Sequence, residues 1–124
     1  MKLGEKIQSA DWKSEKHVPV ISAPDAITAG EAFKVKVHVG AEIAHPNTLE
    51  HHIKWIDVYF QPESDKFVYQ VGHVEFAAHG EKDAIFTSPL AIFKLQVASP
   101  GTLTALSLYN LHGLWESSLE LKIK

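Results

Sequence analysis

Histidine is the side chain whose numbers and positions could do chemistry here. It is the commonest transition-metal ligand and the group that titrates near neutrality, and the 124-residue chain carries eight. Four stand where the local sequence argues for loops or strand ends. His17 comes just before Val18-Pro19, His45 and His51 bracket the turn residues Pro46-Asn47-Thr48-Leu49-Glu50, and His112 precedes Gly113. Proline pushes the residue before it toward extended backbone, so a short turn opened at Pro46 can present two imidazoles to one point. Imidazole suits iron, zinc, copper and nickel, and the lack of a carboxylate-rich cluster argues against calcium or magnesium. From spacing alone, a shared metal and four separately solvated loop histidines are equally good readings. His38 and His73, on polar strand faces, read as surface residues. His52, facing away from its neighbour His51, reads as a hydrogen-bonding group behind a site, and His79 as a structural turn residue.

The elements that must position these groups read as strands. Phe33-Lys-Val-Lys-Val-His-Val39 alternates apolar and polar residues, the period of a half-buried strand. Further strands are expected over 17–22, 52–61, 67–78, 90–97, 102–111 and 119–124, rich in β-branched and aromatic residues and separated by turn signals. About seven strands and no long helix predict an all-β fold, an immunoglobulin-like antiparallel sandwich spanning residues 1–124 as a single domain. The expected core is Val35, Val37, Ile56, Val58, Phe60, Phe76, Phe93, Leu95, Leu106, Leu108, Leu119, Leu121 and Ile123. Gly72 reads as a bulge or a crowded packing position. Apolar side chains on both faces of 67–78, Val68 and Val74 against Tyr69 and Val71, suit a homo-oligomer.

Composition removes several classes. There is no cysteine, which excludes disulfides, thiolate zinc sites and thiol catalysis. All 12 basic residues are lysine and the net charge is −3, which argues against a nucleic-acid partner. No segment is long and apolar enough to span a membrane. The start, MKLGEKIQSADWKSEK, has no apolar signal region, so a cytoplasmic location is the expectation.

Three separated segments carry a family resemblance. Glu15-Lys16-His17-Val-Pro-Val20, His45-Pro-Asn-Thr-Leu-Glu-His51-His-Ile-Lys-Trp-Ile56 and Ser107-Leu-Tyr-Asn-Leu-His112-Gly-Leu-Trp-Glu116 closely resemble superoxide reductase of the neelaredoxin type, the iron module that also forms the larger domain of desulfoferrodoxin. The resemblance extends over nearly the whole chain. It implies a mononuclear non-haem iron (Fe2+/Fe3+) with His17, His45, His51 and His112 around its equator. It also implies a catalytic Lys16 that draws superoxide inward, and a Glu15 able to take the sixth position of the oxidised metal. The implied reaction is one-electron reduction of superoxide to hydrogen peroxide, fed by an external electron donor such as rubredoxin, in a homodimer or homotetramer.

The sequence departs from that family at one ligand. The family places a cysteine three residues before the last histidine, opposite the open position; here Tyr109 stands there. The loop after His79-Gly80-Glu81 is also short. A thiolate pushes electron density onto the metal, whereas a phenolate is harder and favours the ferric state. A phenol oxygen also lies several ångströms farther from its backbone than a cysteine sulfur. Tyr109 would therefore become an axial ligand only with a backbone shift, or pack aside and leave four histidines with water or Glu15. Two functions remain open: a superoxide reductase with weakened activity, or a non-catalytic four-histidine module in which zinc or nickel substitutes for iron.

Overall fold

The computed structural model describes residues 1–11, 15–41 and 43–124. Two sheets face each other. One holds β1 (Pro19–Ser22), β3 (Phe33–Val39) and β8 (Leu90–Leu95), in the order β1-β3-β8. The other holds β2 (Ala26–Ile27), β10 (Gly113–Ile123), β9 (Gly101–Tyr109), β4 (Ile53–Pro62) and β5 (Tyr69–Glu75), in the order β2-β10-β9-β4-β5. A small hairpin of β6 (His79–Glu81) and β7 (Ile85–Phe86) lies apart from both. Among these strands pairing is antiparallel except between β10 and β2. This is the antiparallel β-sandwich that the sequence predicts. No helix among the described residues is long and apolar enough to cross a membrane.

The core follows from alternation. Phe33, Val35, Val37 and Val39 point inward from β3 while Lys34 and Lys36 face water. From the opposing sheet, Ile56, Val58 and Phe60 of β4 and Leu121 of β10 meet them. Phe93, Leu95 and Ile123 pack against this cluster from its margin. Burying this apolar surface between two sheets is the main favourable contribution to folding.

Several expectations need correction. Leu106, Leu108 and Leu119 are not core residues: β9 turns Leu103, Ala105, Ser107 and Tyr109 inward, leaving Leu106 and Leu108 half-buried on the far face, and Leu119 of β10 is half-buried outside the core cluster. Alternating Thr, Leu, Ala and Ser along β9 supports either parity. Ser107 tolerates complete burial because its hydroxyl donates to the His17 carbonyl at 3.5 Å, which meets the polar group's demand. The strand total is ten among the described residues, not seven. The additions are β2 and the β6–β7 hairpin, each only two or three residues per strand and too short to show a period. β5 is shorter than expected, beginning at Tyr69 with Phe67 and Val68 exposed before it. Gly72 proves both bulged and crowded. The β4–β5 register shifts beside it, and a Cβ there would lie 2.8 Å from the Phe93 ring.

Candidate metal centre

Three distant stretches of chain deliver the four histidines to one place. His17 enters just ahead of β1, tied down by the buried Val18 and Pro19. His45 hangs from the loop after β3, and His51 stands two residues before β4. His112 occupies the turn between β9 and β10. The His17 ring centroid lies 5.0 Å from that of His45 and 5.4 Å from that of His112, each edge-on. Tyr109, at the end of β9, links the set. Its ring is 4.8 Å from His17, 4.5 Å from His45 and 5.0 Å from His112, and its hydroxyl lies 3.1 Å from His51 Nδ1. His17 is buried and His45 half-buried, while His51 and His112 are exposed, so the cluster opens to solvent on one side.

Local structure explains how the loops hold this arrangement. Gly40 ends β3 at a φ of +86°, and a Cβ there would come within 2.6 Å of the His45 backbone nitrogen. Only glycine allows the chain to turn and pass that close. Beyond His45, Asn47 donates from Nδ2 to the Thr87 carbonyl at 2.9 Å, and its Oδ1 lies 2.8 Å from His79 Nδ1. His79 Nε2 lies 2.7 Å from the Phe76 carbonyl, and the His79 ring stacks on His52 at 3.6 Å. Thr48 closes the turn, accepting at Oγ1 from the His51 N–H at 3.1 Å. Asn110 then clamps this loop to the turn that bears His112. It accepts from the His52 N–H at 2.9 Å and donates from Nδ2 to the Glu50 carbonyl at 2.8 Å.

Hydrogen bonds also set which ring nitrogen is available. Glu15 accepts from the His17 backbone N–H at 3.0 Å and bonds His17 Nδ1, so His17 keeps Nε2 as its free donor atom. Burial alone would raise the Glu15 carboxyl; the bonds from His17, with the charge of Lys16, outweigh it and hold the carboxyl below its ordinary value. His45 donates from Nδ1 to the Pro46 carbonyl at 2.7 Å. Desolvation pushes its pKa down to about 4, helped by nearby His17 and Lys16 against the opposing Pro46 carbonyl and Glu15. At neutral pH it is an uncharged ring with its lone pair on Nε2, and that atom is buried without a hydrogen-bond partner among the described residues.

A buried, unpaired imidazole nitrogen is costly unless something takes its lone pair. A carbonyl or carboxylate on the opposite nitrogen is the arrangement that orients histidine toward a cation. By these tests the donors suit a first-row transition metal, and His17, His45, His51 and His112 are the residues that would hold it. Their nitrogens do not yet converge: among the described residues no three of His, Cys, Asp or Glu are arranged to hold an ion. The Tyr109 ring stands among them.

The sequence profile of the desulfoferrodoxin family matches residues 9–118. This chain belongs to that family. The desulfoferrodoxin-family chain is 51% identical over 130 residues to neelaredoxin from Megalodesulfovibrio gigas, covering all of both proteins. It is 52% identical over 126 residues to superoxide reductase from Pyrococcus furiosus, covering 97% of this chain and 99% of that one. Its fold superposes on the reduced superoxide reductase (neelaredoxin) of Archaeoglobus fulgidus with a TM-score of 0.88 at 48% identity, covering 95% of this chain and 99% of the other. Membership in this family carries with it a mononuclear iron centre.

All four histidines singled out in the sequence of this family member therefore meet in one cluster with Tyr109, and Glu15 touches it through His17. His52 and His79 lie behind it, as a hydrogen-bonding group and a structural residue. His73 is remote and exposed, and His38 half-buried on β3. The sequence reading missed the supports Asn47 and Asn110, and the buried Trp115, whose indole stacks on His17 at 5.1 Å. Asn47 and Asn110 lie inside the segments that carry the resemblance. Nothing in their residue type distinguishes a clamp from an ordinary turn asparagine.

Proposed function

We propose that this chain binds a single iron at His17, His45, His51 and His112 and reduces superoxide to hydrogen peroxide. The observation that carries this reading is the uncharged His45 ring, its Nε2 buried and unpartnered among the described residues and its Nδ1 fixed. Family membership and the relatives named superoxide reductase support it. Superoxide takes up an electron and two protons to give hydrogen peroxide; iron, when bound, supplies that electron and regains it from an external one-electron donor such as rubredoxin.

The chain's own residues do the rest. Lys16 lies near enough to His45 to depress its pKa, and the same positive potential attracts a small anion to the open side of the cluster. Glu15 fixes the His17 ring through Nδ1 and the backbone N–H, and its carboxyl stays ionised at neutral pH. Val18 and Pro19 beneath His17, with Trp115 stacked on it, shield the inner side from water. Exposed Leu49, Phe67 and Val68 support assembly as a homodimer or homotetramer.

Stopped-flow mixing of superoxide with the reduced iron protein tests the function. The reduced iron form should consume superoxide faster than spontaneous dismutation and yield hydrogen peroxide without evolving oxygen, while the zinc form should not accelerate its disappearance. Lys16→Gln should slow the bimolecular step about tenfold at low ionic strength and flatten its salt dependence. Consumption by the iron form no faster than by the zinc form would defeat the proposal.

A further inference from the structure

Tyr109 lies inside the imidazole cluster, not beside it. One phenol ring reaches three of the histidines at centroid distances of 4.5–5.0 Å and bonds the fourth, His51, through its hydroxyl at 3.1 Å. The residue is only 4% exposed. Its backbone has little freedom, because it pairs with Ile53 of β4 and Gly113 of β10. A short side chain here would end below the imidazoles. A phenol extends several ångströms further, which places its ring in the space they enclose. A ring and a cation make competing claims on that volume.

We propose that Tyr109 is an internal stopper of the metal cage, a residue that fills it in the unloaded chain and must withdraw for a metal to enter. The inference rests on the metal centre proposed above. Withdrawal requires the side chain to leave its χ1 well for another staggered one, losing the bond to His51 and the packing against His17, His45 and His112. The apparent affinity for metal is the intrinsic affinity scaled by the fraction of time the ring is out. Tyr109 thereby sets how readily the cage loads and which cations bind strongly enough to displace it. It is not a ligand, and its removal should strengthen binding.

The test uses the full-length chain stripped of metal by chelation and titrated with Co2+ under anaerobic conditions, read by ligand-field absorption. Tyr109→Ala should bind Co2+ at least tenfold more tightly than the unchanged chain. Tyr109→Phe, which keeps the ring but loses the bond to His51, should fall between them. Weaker binding by Tyr109→Ala would make the phenol a ligand, and equal binding a bystander; either overturns the stopper. Should Tyr109→Ala fail to fold, Tyr109→Leu supplies apolar volume with a shorter reach. A further readout needs no variant: Zn2+ added to the chain carrying 13C-labelled tyrosine must shift the Tyr109 ring resonances and raise their solvent accessibility. A ring that keeps its surroundings while Zn2+ binds would refute the proposal. Failure of every form to bind Co2+ or Zn2+ would instead remove the metal centre itself, and the stopper with it.

Discussion

Asp57 shows how much a single residue can organise away from the metal cluster. Only 9% exposed, its carboxylate accepts from Tyr59 Oη at 2.9 Å, from Gln70 Nε2 at 3.2 Å and from His73 Nδ1. His73 Nε2 lies 3.1 Å from Glu75. The bond to Asp57, then that to Glu75, raises the His73 pKa despite some desolvation. A raised folded-state pKa means that the native chain binds this proton more tightly than the unfolded chain. The resulting stability is fully present below the unfolded value near 6.5 and is lost as pH rises through the folded value. Because His73 is partly exposed, solvent keeps the effect modest. Urea midpoints measured between pH 5.5 and 9 should fall across that window, and His73→Gln should flatten the fall; identical profiles would remove His73 as the cause. The sequence marked His73 only as a surface residue. Exposure was legible from strand parity, but its carboxylate partner comes from the neighbouring strand, and pairing register is not written in either strand alone. The four clustered histidines were legible from their loop positions together with the family segments around them.

Strands and loops divide the work of holding that cluster. β3 was readable because its alternation is unbroken. β9 was not, because Leu103, Leu106 and Leu108 put leucine on both of its faces, and the inward choice is made by Tyr109 and by Ser107 bonding the His17 carbonyl. The β6–β7 hairpin was read as a turn, although it presents His79 to Asn47. At the end of β3, Gly40 is the hinge on which His45 depends. Gly40→Ala would impose a φ of +86° on a residue with a side chain and drive its Cβ into the His45 backbone. The cost should be about 1–3 kcal/mol, seen as a lower thermal midpoint, and metal affinity should drop with it because His45 shifts. A variant that melts and binds metal like the unchanged chain would show that the loop is not set at this point.

At the scale of the molecule, rigid sheets carry a reactive cluster on their connecting loops. Val35, Val37, Ile56, Leu103 and Ala105 are fully buried between the sheets, so the ends of β3, β4, β9 and β10 are fixed relative to one another. Fixed strand ends let loops far apart in sequence bring imidazoles together, the usual way sandwiches build binding sites. The sandwich class was legible from periodicity and turn spacing. The position of Tyr109 among the histidines was not, because it depends on the parity of β9 and on the packing of three separate segments. The most direct test is the iron content of protein reconstituted anaerobically with Fe2+ and freed of excess metal, alongside His45→Ala and His112→Ala. The arrangement predicts about one iron per chain, lost in both variants while their far-ultraviolet spectra remain those of a folded β-protein. Full iron content in both folded variants would contradict it.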